Sequence, residues 1–258
     1  MGVLQGKRFM RMRLAVLSSI LLVGLALRTP AVFASAEVHR MNIVFSAVPT
    51  EIRAGDFNDL IGQLNDTRLR PNNLQPMDKI SLAWLLDGEF RYFARQNLAV
   101  SVGVSRIRAG TEQEYLPTIG ASNKVQADIT SIPIHLGGAY YFTPYNQGDF
   151  QARAYLGGGF MSVVYNRAAQ RWIGNGIPAP GGFSWTGTND GPGYYVEGGV
   201  HMFFASKLSM LLSALFRSNT VRHLVDEQTG APIIGTKGQP ISLDVTGAGF
   251  RMAVGIGL

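Results

Sequence analysis

The chain contains no cysteine among its 258 residues. That excludes a disulfide framework, a Cys-ligated metal, a thiol nucleophile and a lipoprotein anchor on a lipidated cysteine. Charge is scarce as well, with Lys, Arg, Asp and Glu making up 16% of the residues. Long apolar runs are missing after the first few dozen residues. A helix that crosses a membrane needs roughly 18 or more consecutive apolar residues, and no such run follows.

The one conspicuous apolar run sits at the start. Lys7, Arg8, Arg11 and Arg13 precede Leu14 to Leu27, an uncharged stretch of 14 residues, and Ala34-Ser35-Ala36 follows with small side chains. A basic segment, a short apolar core and a small-residue cleavage site form the pattern of a secretory signal. The run is too short for a spanning helix. The division expected is therefore a signal peptide over 1–36 and one domain over 37–258.

Removing the signal changes the charge. The whole chain is +6, with 23 basic and 17 acidic residues. Residues 1–36 carry five of the basic residues and no acidic one, which leaves 18 against 17. A net charge near zero offers no electrostatic basis for binding nucleic acid.

Beyond residue 78 the dominant period is two. Apolar side chains alternate with small or polar ones, the mark of a strand with two unlike faces. Strands are expected over 38–47, 79–94, 98–109, 125–142, 150–166, 191–204, 208–218 and 241–258. Three of the links are short: Arg95 to Asn97, Thr143 to Asp149 and Ala205 to Lys207. The others, 48–78, 110–124, 167–190 and 219–240, are long. Strict alternation of short and long links, with an even strand count, is the signature of a bacterial outer-membrane barrel.

The polarity of the faces agrees. Phe250, Met252, Val254, Ile256 and Leu258 share one face of the last strand, and Gly249, Arg251, Ala253, Gly255 and Gly257 share the other. Five apolar positions two apart span roughly 27 Å at about 3.4 Å per residue. A tilt of about 40° brings that to roughly 21 Å of height, close to the ~25 Å apolar band of such barrels. Strand two places Leu82, Trp84, Leu86, Phe90 and Tyr92 outward against Ala83, Asp87, Glu89 and Arg91 inward. Strand six places Tyr194, Val196, Val200, Met202 and Phe204 outward against Tyr195, Glu197, Gly199 and His201 inward. Charges on the inner face fit a polar lumen and do not fit the apolar core of a water-soluble protein.

Aromatic residues gather near the strand ends in two expected girdles. Tyr92, Phe93, Tyr140, Tyr141, Phe142, Tyr145, Phe150, Phe203 and Phe204 lie near the short turns. Trp84, Tyr165, Trp172, Trp185, Tyr194 and Phe216 lie toward the long loops.

The signal, the eight alternating strands, short turns such as Phe93 to Asn97 and the glycine-rich final strand resemble the OmpA/OmpW-type outer-membrane β-barrel superfamily. The resemblance covers the whole mature chain and rests on pattern. It implies an all-β fold, an eight-stranded antiparallel up-and-down transmembrane β-barrel, in the outer membrane of a Gram-negative-type bacterium. It also implies outer-membrane lipid, lipopolysaccharide and the barrel-assembly machinery as partners.

Eight strands leave an interior just wide enough for side chains to fill it. The charges directed there are Glu89, Arg91, Arg153, Glu197 and Arg251, and a network among them would close the lumen. It would act as a static plug or as a gated polar constriction. In the first long loop, Phe57, Leu60, Ile61 and Leu64 follow helical spacing, with Asp56 placed to cap and Asp59 three residues on. A short amphipathic helix is expected there, over about 57–65. The acidic residues nearby lack calcium-loop spacing, and no metal or cofactor is expected.

Catalysis has little to stand on. The four histidines are His39, His135, His201 and His223, and neither a G-x-S-x-G elbow nor an H-E-x-x-H pair occurs. Glu197 and His201 share a face about 13–14 Å apart along the strand, too far to pair. Three functions remain. A structural or narrow small-solute barrel leads, then a barrel that binds or passes small hydrophobic molecules in the manner of OmpW, then a lipid-A-modifying enzyme.

Overall fold

The computed structural model describes residues 39–118, 121–147, 150–174, 184–204 and 207–258. The expected signal over 1–36 lies outside the described residues.

Eight long strands carry the fold: β1 (Met41–Glu51), β2 (Leu82–Arg95), β3 (Leu98–Thr118), β4 (Ala121–Tyr141), β5 (Phe150–Gly174), β6 (Gly191–Phe203), β7 (Leu208–Val221) and β8 (Gly247–Gly257). Each pairs antiparallel with its neighbours in sequence. The ring then closes, because β8 pairs with β1 from Asn42↔Gly257 to Ser46↔Ala253. Closure leaves no sheet edge to satisfy, the condition for crossing a bilayer with strands. Among the described residues no helix is long and apolar enough to cross a membrane.

The register fixes the tilt. Paired residues followed around the wall run Asn42, Arg91, Ser101, Gly137, Gly159, Tyr195, Arg217, Gly247. The path reaches β8 at Gly247, ten residues (257 less 247) from Gly257, which is the direct partner of Asn42. A ten-residue stagger over eight strands, at about 4.8 Å between strands and 3.4 Å per residue, gives a tilt of about 42°. Each residue then climbs about 2.5 Å, and each step to the next strand in a paired row about 3.2 Å.

On this lattice the exposed apolar side chains form one continuous band about 25 Å tall. Its lower border holds Met41, Tyr92, Tyr140 and Phe142, and its upper border Trp84, Tyr194 and Phe216, all exposed. Phe250 is 83% exposed in the upper half, a position tenable for a large apolar side chain only against lipid. The architecture is an eight-stranded antiparallel up-and-down transmembrane β-barrel with one short helix, α1 (Asp56–Leu64), in the first long loop.

Several sequence-derived details are corrected. Phe93, Tyr141 and Phe203 point into the lumen and are buried, so they do not belong to the lower girdle. Trp172 stands above the band and stacks on Tyr115 at 6.4 Å; the Trp185 side chain lies outside the described residues. The long link expected at 110–124 is mostly hairpin, since β3 and β4 stay paired up to Thr118↔Ala121. Likewise β5 continues to Gly174. Their inner face keeps burying Ala109, Tyr115, Val125, Ala127 and Ile129, while their outer face turns from apolar to polar above the band. The last strand is interrupted, because Leu243–Asp244 pairs with β7 before β8 begins at Gly247.

Candidate functional site

The lumen is filled in three layers. The upper layer is apolar. Inward residues of the wall (Leu85, Ile107, Ile129, Val163, Leu243, Val245) meet Phe57, Ile61 and Leu64 of α1 and Leu69, Leu224 and Ile241 from the loops in one buried cluster. The helix therefore forms a cap over the mouth. Leu60 packs at its margin, partly buried. The cap is tied down by polar bonds to backbone. Asn58 accepts from Ile80 N and donates to Ile80 O, both at 2.8 Å, and Asn65 is bonded the same way to Met77 at 2.8 and 2.9 Å.

Asp56 plays a different part from the one its spacing suggested. The N-cap is Gly55, at φ +48°, and no side chain caps the helix. Asp56 is the first helical residue, and its carboxylate accepts from Ser242 N at 2.9 Å, which joins the first loop to the last. Gly55 has a positive φ that favours glycine, and a Cβ there would also press on the Asp244 Cβ at 3.2 Å.

The middle layer is ionic. Arg251 reaches three carboxylates: Asp87 at 2.5 Å, Glu197 at 3.0 Å and Glu89 at 3.2 Å. Arg91 holds Glu89 at 2.6 Å and approaches Glu197 at 3.7 Å. All five side chains are at most 6% exposed. Hydroxyls complete the network, since Ser105 donates to Asp87 at 2.6 Å and Arg91 donates to Tyr141 Oη at 2.6 Å. Tyr155 donates to Glu197. His135 Nε2 lies 3.0 Å from Asp87. Charged groups this deep are tolerated because each is paired and hydrogen-bonded.

Of the five lumen charges read from the sequence, four meet here. Arg153 does not. It donates to the Gln151 side chain and to the Gln96 carbonyl, both neutral, near the short turns. Two residues outside that set belong to the layer. Asp87 shares the inward parity of Glu89 two positions on, which was visible in the alternation. Arg217 likewise shares the parity of Ser209 and Ser213 and opposes Phe216. It is 2% exposed, and it donates to Thr50 Oγ1 at 2.6 Å, Glu51 O at 2.7 Å and Val245 O at 3.1 Å, with no carboxylate in contact. It faces the carboxylates across a cavity of about 30 Å³ lined by Asp87, Glu89, His135, Tyr195, Glu197 and Arg251. That volume suits about two waters. With Arg217 included, the layer balances three cations against three anions.

Asp87, Glu89 and His135 bring potential ligand atoms within 4.8 Å of one another. The place a cation would take between the two carboxylates is filled by the Arg251 guanidinium. The lower layer is aromatic: Phe93, Tyr141, Tyr155 and Phe203 close the short-turn end with Val44 and Leu211. His201 is fully buried there, stacked on Phe203 with ring centroids 4.0 Å apart.

Glycines make room for these large side chains. A Cβ at Gly137 would sit 2.2 Å from Tyr195 Oη, and one at Gly103 would sit 2.5 Å from the His135 ring. In so narrow a barrel a long polar residue on one strand requires a bare backbone on another.

No protein-family model and no curated protein sequence matches the chain. Among solved structures the chain is similar to Ail, the attachment invasion locus protein of Yersinia pestis. One Ail crystal structure is in complex with the heparin analogue sucrose octasulfate, and another is of the protein itself. In both, identity is 11% and the TM-score 0.34, over 84% of this chain and 96% and 97% of the Ail chains. At that distance the likeness transfers no function.

Proposed function

We propose that this protein is an exported outer-membrane barrel with a sealed lumen, a membrane-spanning scaffold that does not conduct solutes. The filling of the interior carries the reading: an apolar cap, a charge-balanced ionic layer and an aromatic floor succeed one another along the lumen, and the cavity beside the ionic layer has room for about two waters. The export signal over 1–36, the apolar band and the alternation of short and long links support the outer membrane as its location. Assembly there calls on the barrel-assembly machinery, with lipopolysaccharide and phospholipid as surroundings.

In this reading the ionic layer is a static plug. Paired charges fix the strand register, and the layers above and below exclude water independently of them. Passage of small hydrophobic molecules, the alternative, draws on the apolar upper lumen, but α1 and the loops occupy that space and would have to leave it. The test is direct. Outer-membrane fractionation and heat-modifiable gel migration check the location and the barrel. Planar-bilayer recordings then check the seal, with conductance at the lipid baseline expected. A steady small-solute conductance in the wild type would overturn the sealed scaffold and favour the narrow pore.

A further inference from the structure

The outer wall is not uniform around its circumference. At the upper border of the apolar band most strands present neutral or aromatic side chains outward: Pro49 on β1, Trp84 on β2, Tyr194 on β6, Phe216 on β7 and Ala248 on β8. Strand β3 differs. After Val102 and Val104, 51% and 50% exposed, the outward positions are Arg106 and Arg108, both exposed. Arg106 is paired with Leu86, and Arg108 with Trp84 and Thr130. On the tilt derived above, Arg106 stands at about the height of Trp84 and Tyr194, and Arg108 about 5 Å higher.

A cation facing lipid is costly near the midplane, by about 2–4 kcal/mol, and nearly free at the interface. The long arginine stem reaches upward to the headgroups while its methylenes stay in the band. Neither guanidinium forms an ion pair among the described residues. On β4 and β5, Lys124 pairs with Glu112 at 2.6 Å and Arg171 with Asp128 at 2.8 Å, while Arg167, across Thr130 from Arg108, is a further basic residue two strands away. Two such arginines with Cα atoms about 7 Å apart, at headgroup depth and next to an indole, form a fork for phosphate oxygens.

We propose that Arg106 and Arg108 bind the phosphates of a phosphorylated glycolipid of lipid-A type, in the leaflet on the long-loop side, against the β2–β4 face of the barrel. The proposal rests on the outer-membrane reading, which places such lipids at that height.

The test uses the full mature protein folded into bilayers and isolated with its nearest lipids. Retained lipid is measured by native mass spectrometry from bilayers doped with diphosphoryl lipid A or with phosphatidylglycerol. Wild type is expected to retain lipid A at least about tenfold over phosphatidylglycerol. The double variant Arg106→Gln/Arg108→Gln is expected to lose most of that preference. Arg106→Lys/Arg108→Lys keeps the charge without the fork and is expected to fall between them. Arg53→Gln/Lys79→Gln, in the first loop, is expected to match wild type. Equal retention in wild type and the Gln variant overturns the site. Equal retention of the two lipids by wild type makes it a generic anionic surface and overturns the glycolipid. Displacement of lipid A by inorganic phosphate at matched phosphate concentration overturns the lipid as its ligand. Wild type that never enters bilayers overturns the outer-membrane reading, and this proposal with it; wild type that inserts without preference overturns this proposal alone.

Discussion

Replacing Arg251 by Met asks how much the ionic layer contributes to the barrel. The guanidinium touches Asp87, Glu89 and Glu197 at 2.5–3.2 Å, and all are nearly inaccessible. Met preserves much of the volume and removes the charge. Three carboxylates then share Arg91 and, across the cavity, Arg217. Removing one partner of a buried pair costs about 3–5 kcal/mol, mostly because the other charge is left uncompensated. The few waters of a 30 Å³ cavity relieve little of that. With a urea dependence of about 2 kcal/mol/M, the unfolding midpoint in lipid vesicles is expected to fall by about 2 M. Arg153→Met is the control, because its partners are neutral oxygens. Loss of such bonds costs about 1 kcal/mol each, so its midpoint falls by about 1 M or less. The double change Arg251→Met/Asp87→Asn, which also neutralises the carboxylate left with no arginine in contact and restores two cations against two anions, is expected to recover part of the loss. Arg251→Met within about 0.5 kcal/mol of wild type, or indistinguishable from Arg153→Met, would refute the reasoning that this layer is held by its charge pairing.

The remaining expectations concern the seal and the packing. Arg251→Ala and Glu197→Ala are expected to stay at baseline conductance, because the apolar layers close the lumen without them; discrete openings in either variant would make the ionic layer a gate. Gly137→Ala drives a methyl into Tyr195 and is expected to cost about 1–3 kcal/mol, read as a lowered urea midpoint. Gly62→Ala, in α1 with open space around it, is expected to stabilise the cap by about 0.5–1 kcal/mol, visible as slower proteolysis of the first loop. Phe57→Ala empties a side chain that is 1% exposed; a loss of about 3–5 kcal/mol and uptake of an apolar dye into the upper lumen are expected, and an unchanged midpoint would remove α1 from the cap.

Local alternation determined a great deal by itself. A period of two with glycine and charge on one side and large apolar groups on the other fixed which residues face lipid, since register and face cannot be separated in a strand. The eight-strand count and the inward placement of Glu89, Arg91, Glu197 and Arg251 follow from it, and the helical spacing of Phe57, Leu60, Ile61 and Leu64 gave the α1 segment. Other features were decided only by the closed barrel. Asp87 and Arg217 joined the ionic layer, and Arg153 left it, because depth in the lumen depends on the ten-residue stagger, which no single strand encodes. Phe93, Tyr141 and Phe203 read as girdle from their place near the short turns, although parity with outward Tyr92 and Phe204 already turned Phe93 and Phe203 inward. The hairpin beyond residue 110 read as loop because its outer face turns polar above the membrane while its inner face stays buried. That inner surface exists because α1 and the last loop fold over the mouth, a long-range contact no local period records.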